Sequence, residues 1–537
     1  MNFKRSQLAV ALAASLALGG CFGSSNVATN VPDVVIPPPV STTIDVEVTG
    51  NVVDSITGNA IDGATLTFLA NGTSTNEARL LDTGFTRISD LVAVDGAFAF
   101  GFDSETLIDS VTILVEADGY LSQTLNFDIA NAADTNALAF PLVAETTPGL
   151  AVSEVTESVD TTGAVTAPIT LEANTSAGGV TVAIPAGTIL RDAAGNAVTG
   201  AINFQVVGID SDAADGNSVA IADLLPAGIQ DATSTDVFLP LAATVVKFTD
   251  ANGNPITQFS SPITITMRIP SSRGVAEGDT LVLKSYDDDT GLWTTESEVV
   301  TVGAQVGSFF PSTFQIDHLT IFAAGRQVAN DICTAGTTTV NFTGDAAVAG
   351  LVANVSRSAS GTAVQTLADA QATFALTGTQ SASETATVRV TDTQGRVWGR
   401  VTGATACGAI SVPLTNPGST VSESLNVTAI CEEDSTVFTA DTNAVVTYRI
   451  DGSSDAFAQA AHVGAGDYRL VLLTDGETYA VNVNPSIVGV PNYSVTITAD
   501  GTDESAPITY NCNAATGTGG TGTGGTGGTG GTGGGGI

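Results

Sequence analysis

The chain is poor in positive charge, in histidine and in aromatic side chains. Among 537 residues there are only 16 lysines and arginines against 55 aspartates and glutamates, a formal net charge of −39. The lysines number three, Lys4, Lys247 and Lys284. A field of that sign repels nucleic acid and anionic membrane surfaces, so a nucleic-acid partner is excluded. Two histidines, His318 and His462, leave little room for a histidine-based active site. No G-x-S-x-G elbow, H-E-x-x-H helix or Walker loop occurs. Aromatics make up 6 % of the chain, too few to suggest an aromatic platform for carbohydrate. No run after the first twenty residues approaches the length of a membrane-spanning helix. These absences point to a noncatalytic protein that needs no cofactor.

What is present is apolar enough to fold. Hydrophobic residues reach 43 % while charged ones stay at 13 %, which excludes wholesale disorder. At roughly 100–200 residues per domain the length suits several domains. Lys4 and Arg5 precede an apolar Ala/Leu run, Leu8 to Leu18, then Gly19, Gly20 and Cys21. That order reads as a secretory leader over residues 1–20. LGGC, Leu18 to Cys21, resembles the lipobox of bacterial lipoproteins. The resemblance implies cleavage before Cys21, a diacyl lipid on its sulfur and attachment to a membrane through that lipid. Phe22 stands where an aspartate would favour inner-membrane retention, so the resemblance implies the outer membrane, facing either the periplasm or the surface. Residues 21–43 form a linker. Its VIPPPVSTT, Val35 to Thr43, reads as an extended polyproline spacer.

From Ile44 the pattern is all-β: tandem immunoglobulin-like or transthyretin-like β-sandwiches, expected over residues 44–145, 146–329, 330–418 and 419–513. IDVEVTGNVVD alternates as a half-buried strand should. Turns follow at Thr57–Gly58–Asn59 and in EADGY, Glu116 to Tyr120. The run G-x-V-x-D-x-x-T-G-x-A-I-x-G-A, Gly50 to Ala64, together with EADGY, resembles the carboxypeptidase regulatory-like (transthyretin-like) domain. That family implies a noncatalytic folding or binding module over 44–145. In residues 146–329, DAAGN, TDANGNP and YDDDTGLW are hairpin signals, and SSPITITMRIP, Ser260 to Pro270, is a strongly alternating strand. The order IPAGT, GLW and HLTIFA resembles ZU5-type domains and the autoproteolysis-inducing GAIN domain. Residues 330–513 read as two repeats, opened by Ile332–Cys333 and Ile430–Cys431 and closed by Cys407 and Cys512. Residues 514–537, nearly all Gly and Thr, form a flexible tail.

Beyond Cys21, four cysteines remain. In an exported chain they read as disulfides, for which three pairings exist. The repeat favours Cys333–Cys407 and Cys431–Cys512, each expected to stabilise its module by about 4–5 kcal/mol on the chain-entropy argument. A metal site built from them lacks C-x-x-C spacing.

Two features could carry chemistry. HLT, His318–Leu319–Thr320, matches the self-cleavage tripeptide of GAIN domains. By that resemblance His318 is the base, Thr320 the nucleophile, and the break falls between Leu319 and Thr320. The family's flanking cysteines are missing here. The plainer reading is one inert strand through FQIDHLTIF, with Ile316, His318 and Thr320 on one face. The acidic runs also fit calcium. Asp210, Asp212 and Asp215 surround a glycine but lack the distal glutamate of an EF-hand. Asp287, Asp288 and Asp289 sit on a hairpin where solvated carboxylates are the rule. The sequence thus leads to a lipid-anchored envelope stalk, adhesion or binding scaffold with an unidentified protein or glycan ligand. A self-cleaving surface protein and an envelope glycan-binding protein stand as alternatives.

Overall fold

The computed structural model describes residues 46–510, apart from 71–72, 75–79, 82–86, 104–107, 131, 133–134, 212–216, 231–235, 288–289, 330–332, 334–337, 359, 377–383, 433–434, 437, 441–443, 454–456, 465 and 486–490. The leader, Cys21, the proline-rich linker, Cys512 and the Gly/Thr tail lie outside the described residues.

The strands gather into four β modules, and the described residues are all-β apart from single helical turns at Ile221–Leu224 and Ser271–Arg273. In the first module, Val46–Asp54 lies between Ala97–Phe102 and Thr135–Ala144. A second sheet with Thr65–Ala70, Ser110–Glu116 and Gln123–Asp128 faces it. Val48, Val52, Phe68, Phe100, Ile113 and Phe140 fill the space between. Phe68 meets Phe100 edge-on at 4.8 Å between ring centroids, a favoured aromatic geometry.

The second module is one twelve-stranded sheet running from Leu150–Val159 at one end of its ladder to Ile169–Asn174 at the other. All its pairings are antiparallel. The sheet folds over its own core, where Phe204, Phe248, Ile265, Met267 and Phe322 are buried. A bridge between Gly178 and Asp210 ties its two halves. Gly208 is required there, since a Cβ would come within 2.0 Å of Ala173 O.

The third module has strands from Thr338–Gly344 to Ala409–Leu414, the fourth from Thr420–Cys431 to Glu504–Tyr510. A common rule joins the first, third and fourth modules. In each, the first strand pairs in parallel with the last: Val46–Asp54 with Thr135–Ala144, Thr338–Gly344 with Ala409–Leu414, and Thr420–Cys431 with Glu504–Tyr510. The repeat therefore takes in the first module as well as the last two.

Several expectations change. Val46–Asp54 is not half-buried: Thr49, Asn51 and Val53, on its outward face, are buried with Val48 and Val52. The third module covers that face. Asn51 Nδ2 donates to Thr393 O at 3.2 Å. Gly395, with φ +79, sits so close that a Cβ would lie 2.6 Å from Val53 Cγ1. Nor is FQIDHLTIF one strand. Phe309–His318 ends at the histidine, Ile321–Ala329 begins after Thr320, and the two have different neighbours. Cys431 does not open the fourth module; it ends that module's first strand.

Candidate functional site

The HLT segment comes first because it offered a nucleophile. His318 is half-exposed, with Nε2 3.4 Å from Glu296 Oε1 and Nδ1 3.4 Å from Asp317 Oδ1. Glu296 also accepts from the Ser285 hydroxyl. The imidazole is thus held by carboxylates. Thr320 is buried and its Oγ1 has no hydrogen-bond partner, so no bond links it to His318. Its carbonyl accepts from Val246 N at 3.2 Å. Neither Leu319 nor Thr320 is among the non-glycine residues with positive φ, so that form of backbone strain is not stored at the bond a self-cleaving site would break. His462, half-buried on the short strand Ala461–Gly464, stacks near Tyr468 with ring centroids 5.2 Å apart.

The acidic side chains mostly build turns. Asp160, Asp192, Asp250 and Asp392 each begin a D-x-x-G loop. In each, one carboxylate oxygen accepts the amide of the residue four ahead, at 2.7–2.9 Å. These bonds, side-chain donors foremost, hold the exposed carboxyls of Asp160, Asp192 and Asp250 below the usual range. Asp210 is buried and accepts from Ala177 N at 2.8 Å and Ser176 Oγ at 3.3 Å. Asp287 Oδ1 accepts from Thr290 N at 3.2 Å. The remaining calcium candidates, Asp212, Asp215, Asp288 and Asp289, lie outside the described residues. Among the described residues no three metal-ligating side chains come together.

Cys333 and Cys407 form a disulfide, with Cα atoms 5.4 Å apart. Cys431 is disulfide-bonded too. Its expected partner Cys512 lies outside the described residues.

A cluster of buried polar groups lies where the first three modules meet, at residues the sequence did not single out. The strand Thr385–Thr391 carries Arg389, 4 % exposed. Directly opposite on Val397–Thr405 stands Arg400. Arg389 Nη2 donates to Asp54 O of the first module at 3.2 Å, while Nε and Nη1 have no hydrogen-bond partner. Burial, then repulsion from Arg400, lowers its pKa to about 9, with Asp54 opposing the shift. Arg400 Nη2 donates to Ser218 O of the second module at 3.3 Å. The second module also supplies Asp223 from the turn Ile221–Leu224. Asp223 Oδ2 accepts from Ala220 N at 3.0 Å. Burial raises its pKa, against the Thr387 hydroxyl, the Ala220 amide and Arg400. Gln123 Nε2 of the first module donates to Asp223 O at 2.9 Å, and Asn354 Nδ2 of the third to Ala139 O at 3.0 Å. These groups enclose a recess of about 20 Å³, which Ser55 also lines. The signal was an arginine inside an apolar strand of a chain with few arginines, followed by Arg396 and, eleven residues on, by Arg400.

No family model matches the chain, and no curated protein matches it. Among solved structures it is similar to the minor pilin of Streptococcus agalactiae, at 10 % identity and a TM-score of 0.15 over 33 % of this chain and 96 % of the pilin. It is similar to the shaft pilin SpaA of Lactobacillus rhamnosus GG, at 12 % identity and a TM-score of 0.16 over 33 % and 97 %. The TIE protein of Bacillus anthracis follows at 10 % identity and 0.13 over 67 % and 57 %. Likenesses at these values carry no functional argument. The β-sandwich description rests on the strand ladders themselves.

Proposed function

We propose that the chain is a noncatalytic, lipid-anchored envelope protein whose joined β-sandwiches act as a scaffold displaying a surface for a protein or glycan ligand. The observation that carries this reading is the way the first module bonds to all three others. Arg389, Asn354 and Asn51 join it to the third. Gln123, and Thr124 accepting from Ala227 N at 2.7 Å, join it to the second. Arg449 Nη1, 2.6 Å from Asp95 Oδ2, joins it to the fourth. Beads on a flexible string would leave these polar groups in water; here they fix one module against another. The leader and Cys21 support lipid attachment, and Phe22 the outer membrane. The Gly50–Ala64 run supports a carboxypeptidase regulatory-like identity for the first module. Among the described residues no helix is long and apolar enough to cross a membrane.

Metabolic labelling with a palmitate analogue, followed by membrane fractionation, tests the anchor. The wild type should carry label and sediment with membranes; Cys21→Ala should do neither. An unlabelled, soluble wild type would sink the proposal. Intact mass tests the noncatalytic reading. Wild type and Thr320→Ala should each give one unbroken chain, whereas a new N-terminus at Thr320 in the wild type alone would make it a self-processing protein.

A further inference from the structure

The recess between the first three modules joins a buried cation to unspent donors. Arg389 uses one of its nitrogens on Asp54 O; two more, Nε and Nη1, meet no protein acceptor. The Ser55 hydroxyl lines the same recess and has no partner either. Arg400 stands opposite Arg389 across the strand pair, and like charges so placed repel. A guanidinium withdrawn from water with donors unmet is costly, and a counter-charge is the direct remedy.

The nearby carboxylates Asp54 and Asp223 act on Arg389 and Arg400 respectively through their charge, but neither bonds Arg389 Nε or Nη1. Asp54 Oδ1 accepts from the amides of Ile56 and Thr57 at 2.9 and 2.7 Å and from the Thr57 hydroxyl at 2.9 Å. Asp223 Oδ2 is committed to Ala220 N. About 20 Å³ suits one particle of the size of a water or a halide. We infer that this junction is a binding site for one small monovalent anion of the chloride class, held by Arg389, Arg400 and Ser55, and that the anion fastens the three modules together. Asp223 faces the same recess, and burial favours its neutral form. Protonation removes a negative charge beside the anion, so affinity should rise as pH falls through the titration of Asp223.

The test is thermal unfolding of the whole oxidised protein in sodium chloride against sodium gluconate at equal ionic strength and pH, together with a bromide soak read by anomalous scattering. The expected result is a saturable, chloride-specific rise in the midpoint, larger at lower pH, and a bromide peak within hydrogen-bond reach of Arg389 Nε or Nη1. Arg389→Met should abolish the chloride response. Asp223→Asn should keep it and remove its pH dependence. Should Arg389→Met fail to fold, Ser55→Ala must still raise the half-saturating chloride concentration several-fold. Equal midpoints in the two salts, an unchanged response in Ser55→Ala, or a recess without bromide would overturn the site and leave it holding water only.

Discussion

At the scale of single residues, two kinds of carboxyl group pull stability in opposite directions with pH. Glu47 lies against the fourth module and accepts from Gln459 Nε2. Burial raises its pKa from 4.5 to about 7, with the Gln459 bond opposing the shift. A raised folded-state pKa means the folded chain holds the proton more tightly. That contribution is full below about 4.5 and is lost as pH rises through about 7. The loop aspartates Asp160, Asp192 and Asp250 are lowered instead, so their contribution is full above the ordinary aspartate range and is lost as pH falls through their depressed values. The thermal midpoint of the wild type should therefore decline between about pH 5 and pH 8, and Glu47→Gln should flatten that decline. A Glu47→Gln profile parallel to the wild type would remove Glu47 as the cause. The residue scale is also where the sequence was least legible. Asn51, Asn354 and Arg389 alternate with apolar neighbours and so read as solvent-facing. Alternation reports which face of a strand is apolar; it is silent on what covers the polar face.

At the scale of elements, the D-x-x-G loop is the recurrent device. Its aspartate satisfies amides that the tight turn leaves without ladder partners. Asp250 Oδ1 accepts from both Asn252 N and Asn254 N, at 2.8 and 2.9 Å. Replacing Asp250 by alanine should speed amide exchange at Asn252 and Asn254 while leaving the ladder of Gly200–Ile209 protected. Unchanged exchange at those two amides would show that the carboxylate does not hold the loop. In the third module the same loop is buried. Asp392 there pairs with Arg396 at 2.7 Å, and Arg396 reaches into the fourth module to Thr474 Oγ1 at 3.0 Å and Leu472 O at 3.2 Å. Elements were largely legible, because strand alternation and DAAGN or DANGN turns are local signals. The break at Leu319–Thr320 was not. Apolar residues continue across it, and only the change of neighbouring strand reveals that two elements meet there.

At the scale of the whole molecule, close packing between modules depends on two small turns. Gly395 of the third module presses on Val53, and a Cβ on Gly58 of the first would lie 2.9 Å from Gly395 O. Gly395→Ala adds a side chain where φ is +79 and where Val53 stands in the way. It should cost on the order of 1–3 kcal/mol. Because the loss falls on an interface, denaturant unfolding should separate into two transitions. A single transition at the wild-type midpoint would show that this contact is dispensable. The Cys333–Cys407 bridge of the third module was legible from spacing alone. The shared parallel pairing of first and last strands was not, because it joins segments about 70–90 residues apart that carry no common motif.

That pairing, with the cystine in the third module, decides how the chain would bear a mechanical load. A pull on the N-terminal end of the module would reach Cys333 before its first strand, and a pull on the C-terminal end would reach its last strand and then Cys407. The covalent bridge carries the load from one sulfur to the other, bypassing the 74-residue span between them. Only the last strand can peel away. In single-molecule stretching the oxidised module should therefore lengthen little, and a reductant should release about 25 nm of hidden chain. Such a module behaves as an inextensible link under oxidising conditions and as a slack tether once the bridge is cut.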